Sequence, residues 1–181
     1  PGAVREALSR LTADGLVEGV AQKGFIVKPA SVADLEDLTE TRVELECVCL
    51  ERSIQRGGAR WEGQVLAAAH ELRRTPLPDV TGEDKYQGEW INVHRDFHSL
   101  LVSACGSPWR LRMRDLLHEQ TQRYWHLLSG PAMHARDLAA EHGGIVEAAL
   151  AHDTALATTR LRTHLMLTSQ VLLRNAAGLP P

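Results

Sequence analysis

The 181-residue sequence predicts a mainly α fold in two parts: a partial winged helix-turn-helix, made of one helix and a β-hairpin wing, then an antiparallel all-α bundle. Three observations predict it. Apolar residues recur every three or four positions from residue 31 onward. Clusters of Gly, Pro and Ser cut that pattern into six segments joined by short loops. Near the start, two short β-prone runs flank a Gln22-Lys23-Gly24 tip.

The first helix spans residues 2–13, with Val4, Ala7, Leu8 and Leu11 on its inner face, and Asp14-Gly15 stops it. Arg5 and Ser9, four apart, point away from that face. The stretch LVEGVAQKGFIVKP supplies the hairpin, and Pro29-Ala30 marks a hinge. The chain divides there into residues 1–29 and residues 30–178. Pro1 reads as the first turn of a helix already under way, so upstream sequence is expected. Without it, the apolar face of residues 1–28 stays open.

Ser31 can cap a long helix through about Arg56, with Asp34 in its first turn and Gly57-Gly58 at its end. A second bundle helix covers about 60–75 and a third about 84–104. Gly106-Ser107-Pro108 is a stop followed by a new cap and a first-turn proline, which opens a helix through about Leu128. Ser129-Gly130-Pro131 breaks the chain again before a helix carrying His142. Asp153 caps the last helix, which carries His164 and ends before Gly178.

Composition narrows the function classes. Apolar residues make up 44% and charged residues 24%, a globular balance. No apolar run approaches the roughly 20 residues of a membrane span, and the start shows no signal-peptide pattern. Cys47, Cys49 and Cys105 are odd in number without CxxC spacing, which suggests reduced thiols, core packing and a cytoplasmic setting. Net charge is −3; residues 1–30 carry four basic and three acidic residues, a mild asymmetry that does not by itself argue for DNA.

Histidines carry the chemistry. His94 and His98 lie four apart, sharing a helix face with Trp90, Phe97 and Leu101. His142 falls on the stripe Leu138, His142, Ile145, Ala149, and His164 on the stripe Ala157, Leu161, His164, Thr168, Val171. Neutral imidazoles ligate divalent metals, and four converging inside a bundle make a coordination sphere. One such histidine is ordinarily a hydrogen-bonded core residue; four, with one pair in register, favour a site. His70, His118, His126, His134 and His152 read as surface residues or helix flanks. Arg42 lies on the stripe Leu35, Leu38, Leu45, Cys49, and Arg123 on Leu116, Gln120, Leu127. An arginine facing a core needs an anion, either a ligand or an internal carboxylate such as Glu46. Trp90 and Tyr124 are candidates for pocket walls.

A helix followed by a basic-tipped hairpin is the second half of a winged helix-turn-helix. In that arrangement Arg5 and Ser9 face base edges or phosphates, and Lys23 and Gly24 at the wing tip lie beside the backbone. The segment PGAVREALSRLTADGLVEGVAQKGFIVKP resembles the recognition helix and wing of the GntR family of bacterial transcription regulators. Val4, Arg5, Glu6, Ala7, Leu8, Leu11, Gly15, Leu16, Val17, Gly24 and Val27 match its pattern, whereas Gly2 and Ala3 stand where Thr and Pro are usual. The remainder resembles the all-helical FCD effector domain of the FadR subfamily, through TRVELE, with Arg42 and Glu46 in register, RDFHSLLVSACGSP, and EHGGIVEAALAHDTALATTRLRTHL.

The resemblance implies a metal held by His98, His142 and His164, with His94 standing at the position usually occupied by Asp. Asp96 is no obvious substitute, since two residues turn a helix by about 200°. A four-nitrogen set favours zinc, nickel or another borderline divalent metal over magnesium or calcium. It further implies that the metal anchors a small carboxylate effector or simply holds the helices together. The leading reading is a homodimeric, effector-responsive regulator of operator DNA, with no membrane association, in which Arg42, Arg123, Trp90 and Tyr124 are the candidate effector contacts. The alternatives are a helical metalloenzyme acting on a small organic acid, or a sensor domain without DNA binding. Against the enzyme, the sequence has neither a Glu-x-x-His repeat nor HExxH.

Overall fold

A computed structural model of the chain describes residues 2–13, 15–77, 88–128 and 135–176. Its elements run α1 (Gly2–Ala13), β1 (Val17–Val20), β2 (Gly24–Val27), α2 (Val32–Arg56), α3 (Ala59–Arg74), α4 (Glu89–Leu101), a 3-10 turn (Ser103–Cys105), α5 (Pro108–Leu128), α6 (Leu138–Leu150) and α7 (Thr154–Arg174). β1 and β2 pair antiparallel, Val17 opposite Val27 and Val20 opposite Gly24. Gln22 in the tip and Gly24 both take positive φ, which tightens the turn. The expected Ser129-Gly130-Pro131 break, Asp14, His134, Gly178 and the beginning of the third bundle helix near residue 84 lie outside the described residues.

The helix ends follow from local chemistry. Ser31 Oγ accepts from the Asp34 N–H at 3.1 Å, Asp137 from Ala140 at 2.9 Å and Asp153 from Leu156 at 3.0 Å, each satisfying a first-turn amide. Gly106 ends the 3-10 turn at φ 68°, a left-handed conformation that favours glycine.

α2 runs through the middle of the bundle, packed on α7, α5 and the 3-10 turn, while α6 lies on α7 and α3 on α4 and α6. The main core joins Leu50, Ile54, Val65, Phe97, Leu101, Ile145 and Leu161. A smaller cluster of Ala30, Leu35, Tyr124, Leu128, Leu172 and Ala176 closes the end nearest the hairpin. Cys47, Cys49 and Cys105 are buried free thiols, and burial pushes Cys49 up to about 12. They belong to the core. No described helix is long and apolar enough to cross a membrane.

One helix face differs from expectation. The stripe Leu116, Gln120, Arg123, Leu127 is not the inner face of α5, since Leu127 is 58% exposed. The buried residues of α5 are Arg114, His118, Tyr124, Trp125 and Leu128. His118, expected at the surface, is therefore interior. This face packs on charged groups of α2, so its burial leaves no apolar periodicity to read.

Candidate metal centre

α4 presents His94 and His98 from consecutive turns, α6 presents His142 and α7 presents His164, on the apolar stripes that bury those helices. One ring nitrogen from each of the four lies within 4.8 Å of the others. His94 Nε2 is 3.1 Å from His98 Nε2 and 3.2 Å from His142 Nε2. His98, His142 and His164 are buried. His94 is partly exposed as a residue, but its ring stacks on Trp90 at 4.4 Å and faces the other histidines.

A neutral imidazole nitrogen carries either one proton or one in-plane lone pair. His94 Nε2 can therefore complete a hydrogen bond with only one of its two close neighbours. A cation satisfies all the nitrogens together. With metal–nitrogen bonds of about 2.0–2.1 Å, adjacent nitrogens of a tetrahedron lie roughly 3.3–3.4 Å apart, close to the two spacings above.

The electrostatics suit ligation. Burial, then the neighbouring imidazoles, holds His94, His98 and His142 well below the usual histidine range. His164 is lowered by burial despite the opposing pull of Glu141. All four are neutral near pH 7, the form a metal requires. Outer partners orient two of them. His142 is hydrogen-bonded to the backbone of Leu138, and His164 Nδ1 donates to Glu141 Oε2 at 2.7 Å, directing Nε2 towards the cluster. Burial raises the Glu141 carboxyl, but hydrogen bonds from His164 and Arg136 outweigh it and bring it to about 2. Arg136 also donates to Thr168 Oγ1 at 2.8 Å and to the His164 carbonyl at 3.2 Å. The residues present fit a divalent metal with nitrogen preference.

A second buried network lies alongside. Arg42 Nε donates to Glu46 Oε1 at 3.3 Å, and Arg114 Nε donates to the same oxygen at 3.0 Å. The internal-carboxylate alternative for Arg42 is thus observed. Arg42 Nη2 lies 3.0 Å from His118 Nδ1, and burial, then the two arginines, lowers His118 to about 2. His118 therefore accepts at Nδ1, and the Gln122 side-chain amide lies 3.1 Å from its Nε2. Arg114 Nη1 reaches Ser99 Oγ and Asp115 at 2.8 and 2.9 Å.

The remaining candidate residues separate. Trp90 stands beside the histidines, whereas Arg123 and Tyr124 do not. Tyr124 Oη donates to Asp34 Oδ2 at 2.5 Å and accepts from the Ser31 N–H at 3.4 Å. Arg123 donates to the Lys28 carbonyl. Both tie α5 to the junction of hairpin and bundle. Arg5, Ser9, Lys23 and Gly24 are exposed. Sequence reasoning missed His118, Arg114, Arg136 and Glu141. The i, i+4 spacing of Arg114 and His118 and the position of Glu141 beside His142 were the available signals.

The FCD domain, as a family, matches residues 37–166. The HTH-type transcriptional regulator BphR of Paraburkholderia xenovorans (strain LB400) is 40% identical over 166 residues, 91% of this chain and 67% of that protein. The HTH-type transcriptional repressor GlaR of Escherichia coli (strain K12) is 36% identical over 183 residues, 98% of this chain and 81% of that protein. Among solved structures, E. coli McbR/YncC matches with a TM-score of 0.77 at 18% identity, covering 94% of this chain and 83% of that one. The Zn2+-bound FCD domain of TM0439 matches with a TM-score of 0.61 at 16% identity, covering 83% of this chain and 99% of that one. At these identities the two structures speak for the fold, and the two sequence relatives are named as transcriptional regulators. The chain belongs to the GntR family of helix-turn-helix transcriptional regulators that carry an FCD domain.

Proposed function

We propose that this chain is an effector-responsive regulator in which His94, His98, His142 and His164 hold a divalent metal, zinc or nickel, that anchors a small carboxylate. The observation that carries the reading is the convergence of four neutral histidine nitrogens within 4.8 Å. A zinc-bound FCD domain among the fold neighbours supports it. Arg42 supplies a second cation beside the cluster, already satisfied by Glu46 and His118.

In this reading residues 1–29 belong to the DNA-reading part, with Arg5, Ser9, Lys23 and Gly24 towards the operator, and residues 30–178 hold metal and effector. Two copies engage a palindromic site in the cytoplasm as a homodimer. An incoming carboxylate on the metal changes the charge that Arg42 and His118 face, and with it how α2 and α5 sit against each other. The same two helices meet again at Asp34 and Tyr124, where the hairpin joins. Coupling requires that the effector favour one of the two arrangements.

The test is metal content together with metal-dependent carboxylate binding, measured for the native chain and for His98→Ala. Expected are one zinc or nickel per chain and stabilisation by carboxylates that disappears on chelation and in the variant. Carboxylate binding that survives both treatments would sink the reading.

A further inference from the structure

A cavity of about 460 Å³ lies between α3, α4 and α6 and reaches the histidine cluster at His142. Trp90, the residue stacked on His94, forms part of its wall. Leu66, Leu72, Leu138 and Val146 make much of the remaining surface, and Arg136 stands at the His142 side. Acetate or a small hydroxy acid would occupy a small part of this space and leave the apolar walls in contact with water.

The charge balance specifies the other end of the ligand. The four candidate ligands are all imidazoles, which ligate as neutral donors, so no ligand in this set offsets the two charges of a divalent ion. Glu141 is already paired with Arg136, and Glu46 with Arg42 and Arg114. In a poorly solvated interior, the uncompensated ion calls for an anion from outside.

We propose that the effector is a carboxylate with an apolar body of at least aromatic-ring size, roughly 12 to 18 non-hydrogen atoms in all for a cavity of this volume. Its carboxylate meets the metal beside His142, and its body lies against Leu72, Trp90 and Val146. This rests on the metal-anchored reading above and narrows it to a ligand class. Each methylene buried against these walls tightens binding about fourfold.

The experiment is calorimetric titration of the zinc-loaded chain with acetate, 4-phenylbutanoate and 4-phenylbutylamine, repeated after stripping zinc with EDTA. The same series is run on Ala139→Trp and Ala69→Phe, two substitutions that fill the cavity from α6 and from α3. Expected is 4-phenylbutanoate binding at least 100-fold tighter than acetate, only with zinc, with no binding of the amine. Both variants should lose that advantage and keep the weak acetate binding. If acetate and 4-phenylbutanoate bind zinc-loaded protein equally, the ligand class is wrong and the metal-anchored reading stands. If 4-phenylbutanoate binds equally well after stripping, or binds both variants undiminished, the proposed pose is overturned. If no acid binds with zinc present, the metal-anchored reading falls together with the proposal.

Discussion

In the bundle, Arg42, Glu46, Arg114, His98, His118, His142 and His164 are all buried, whereas α1 buries no residue and Arg5, Ser9, Lys23 and Gly24 stand in solvent. The interior groups must find partners, because an unpaired buried charge or donor costs several kcal/mol. Their roles are consequently written in distances: Glu46 between two arginines, Glu141 between Arg136 and His164. The exposed end is under no such constraint. Its side chains stand in solvent, and the role proposed for them is carried by pattern alone. Two parts of one molecule thus differ in how far geometry can report function.

The sharpest contrast should come from pH. His94, His98, His118, His142 and His164 all have pKa values below the ordinary histidine value near 6.5. Below that pH the unfolded chain takes up protons that the folded chain refuses. The contribution is intact above pH 6.5 and is lost as the pH falls, by up to about 1.4 kcal/mol per histidine per pH unit. Metal-free protein should therefore show a melting temperature that drops steeply between pH 7 and pH 5. A flat profile over that range would mean that water reaches the histidines.

Next in size is Glu46. Glu46→Ala leaves Arg42 and Arg114 buried without their shared carboxylate and should cost about 3–5 kcal/mol in urea unfolding. A loss under about 1 kcal/mol would show that solvent or Asp115 takes over the pairing. Tyr124→Phe comes below it, removing a bond to a carboxylate that is about one-third exposed. A cost of about 1–1.5 kcal/mol is expected. Since Tyr124 sits where the hairpin meets α2, the variant should retain effector affinity while its DNA response to effector weakens. Unchanged coupling in a DNA-binding titration would remove this contact from the link between the two regions.

The bundle was legible in the sequence because Ser31, Asp153 and Gly106 mark helix ends by local chemistry, and the histidine stripes of α4, α6 and α7 combine helical period with apolar neighbours. α5 was not. Its buried face pairs Arg114 and His118 with charged residues on α2, roughly 70 positions away in sequence, and only tertiary contact shows that pairing. Arg136 was hidden for a similar reason: it precedes α6, outside any periodic stretch, and acts through Glu141 and Thr168. Tyr124 and Arg123 were placed on the right helix, but the turn-by-turn direction that takes them to the hairpin junction depends on how α5 packs.

The smallest expected effect on stability tests the exposed end itself. Val4 and Leu11 lie on the face of α1 that helical spacing marks as inner, yet they are 64% and 37% exposed. Val4→Ala and Leu11→Ala should each change unfolding free energy by less than about 0.5 kcal/mol, as surface substitutions do. Arg5→Ala, on the opposite face, should be equally silent in unfolding. It should nevertheless weaken operator binding, and it should lower the salt slope of that binding by about one if its contact is to a phosphate. The two measurements separate two kinds of exposure. If the apolar variants cost more than about 1 kcal/mol, α1 is covered by a further part of the regulator in solution. If Arg5→Ala leaves operator affinity untouched, the α1 surface opposite Val4 and Leu11 is not the one that reads DNA.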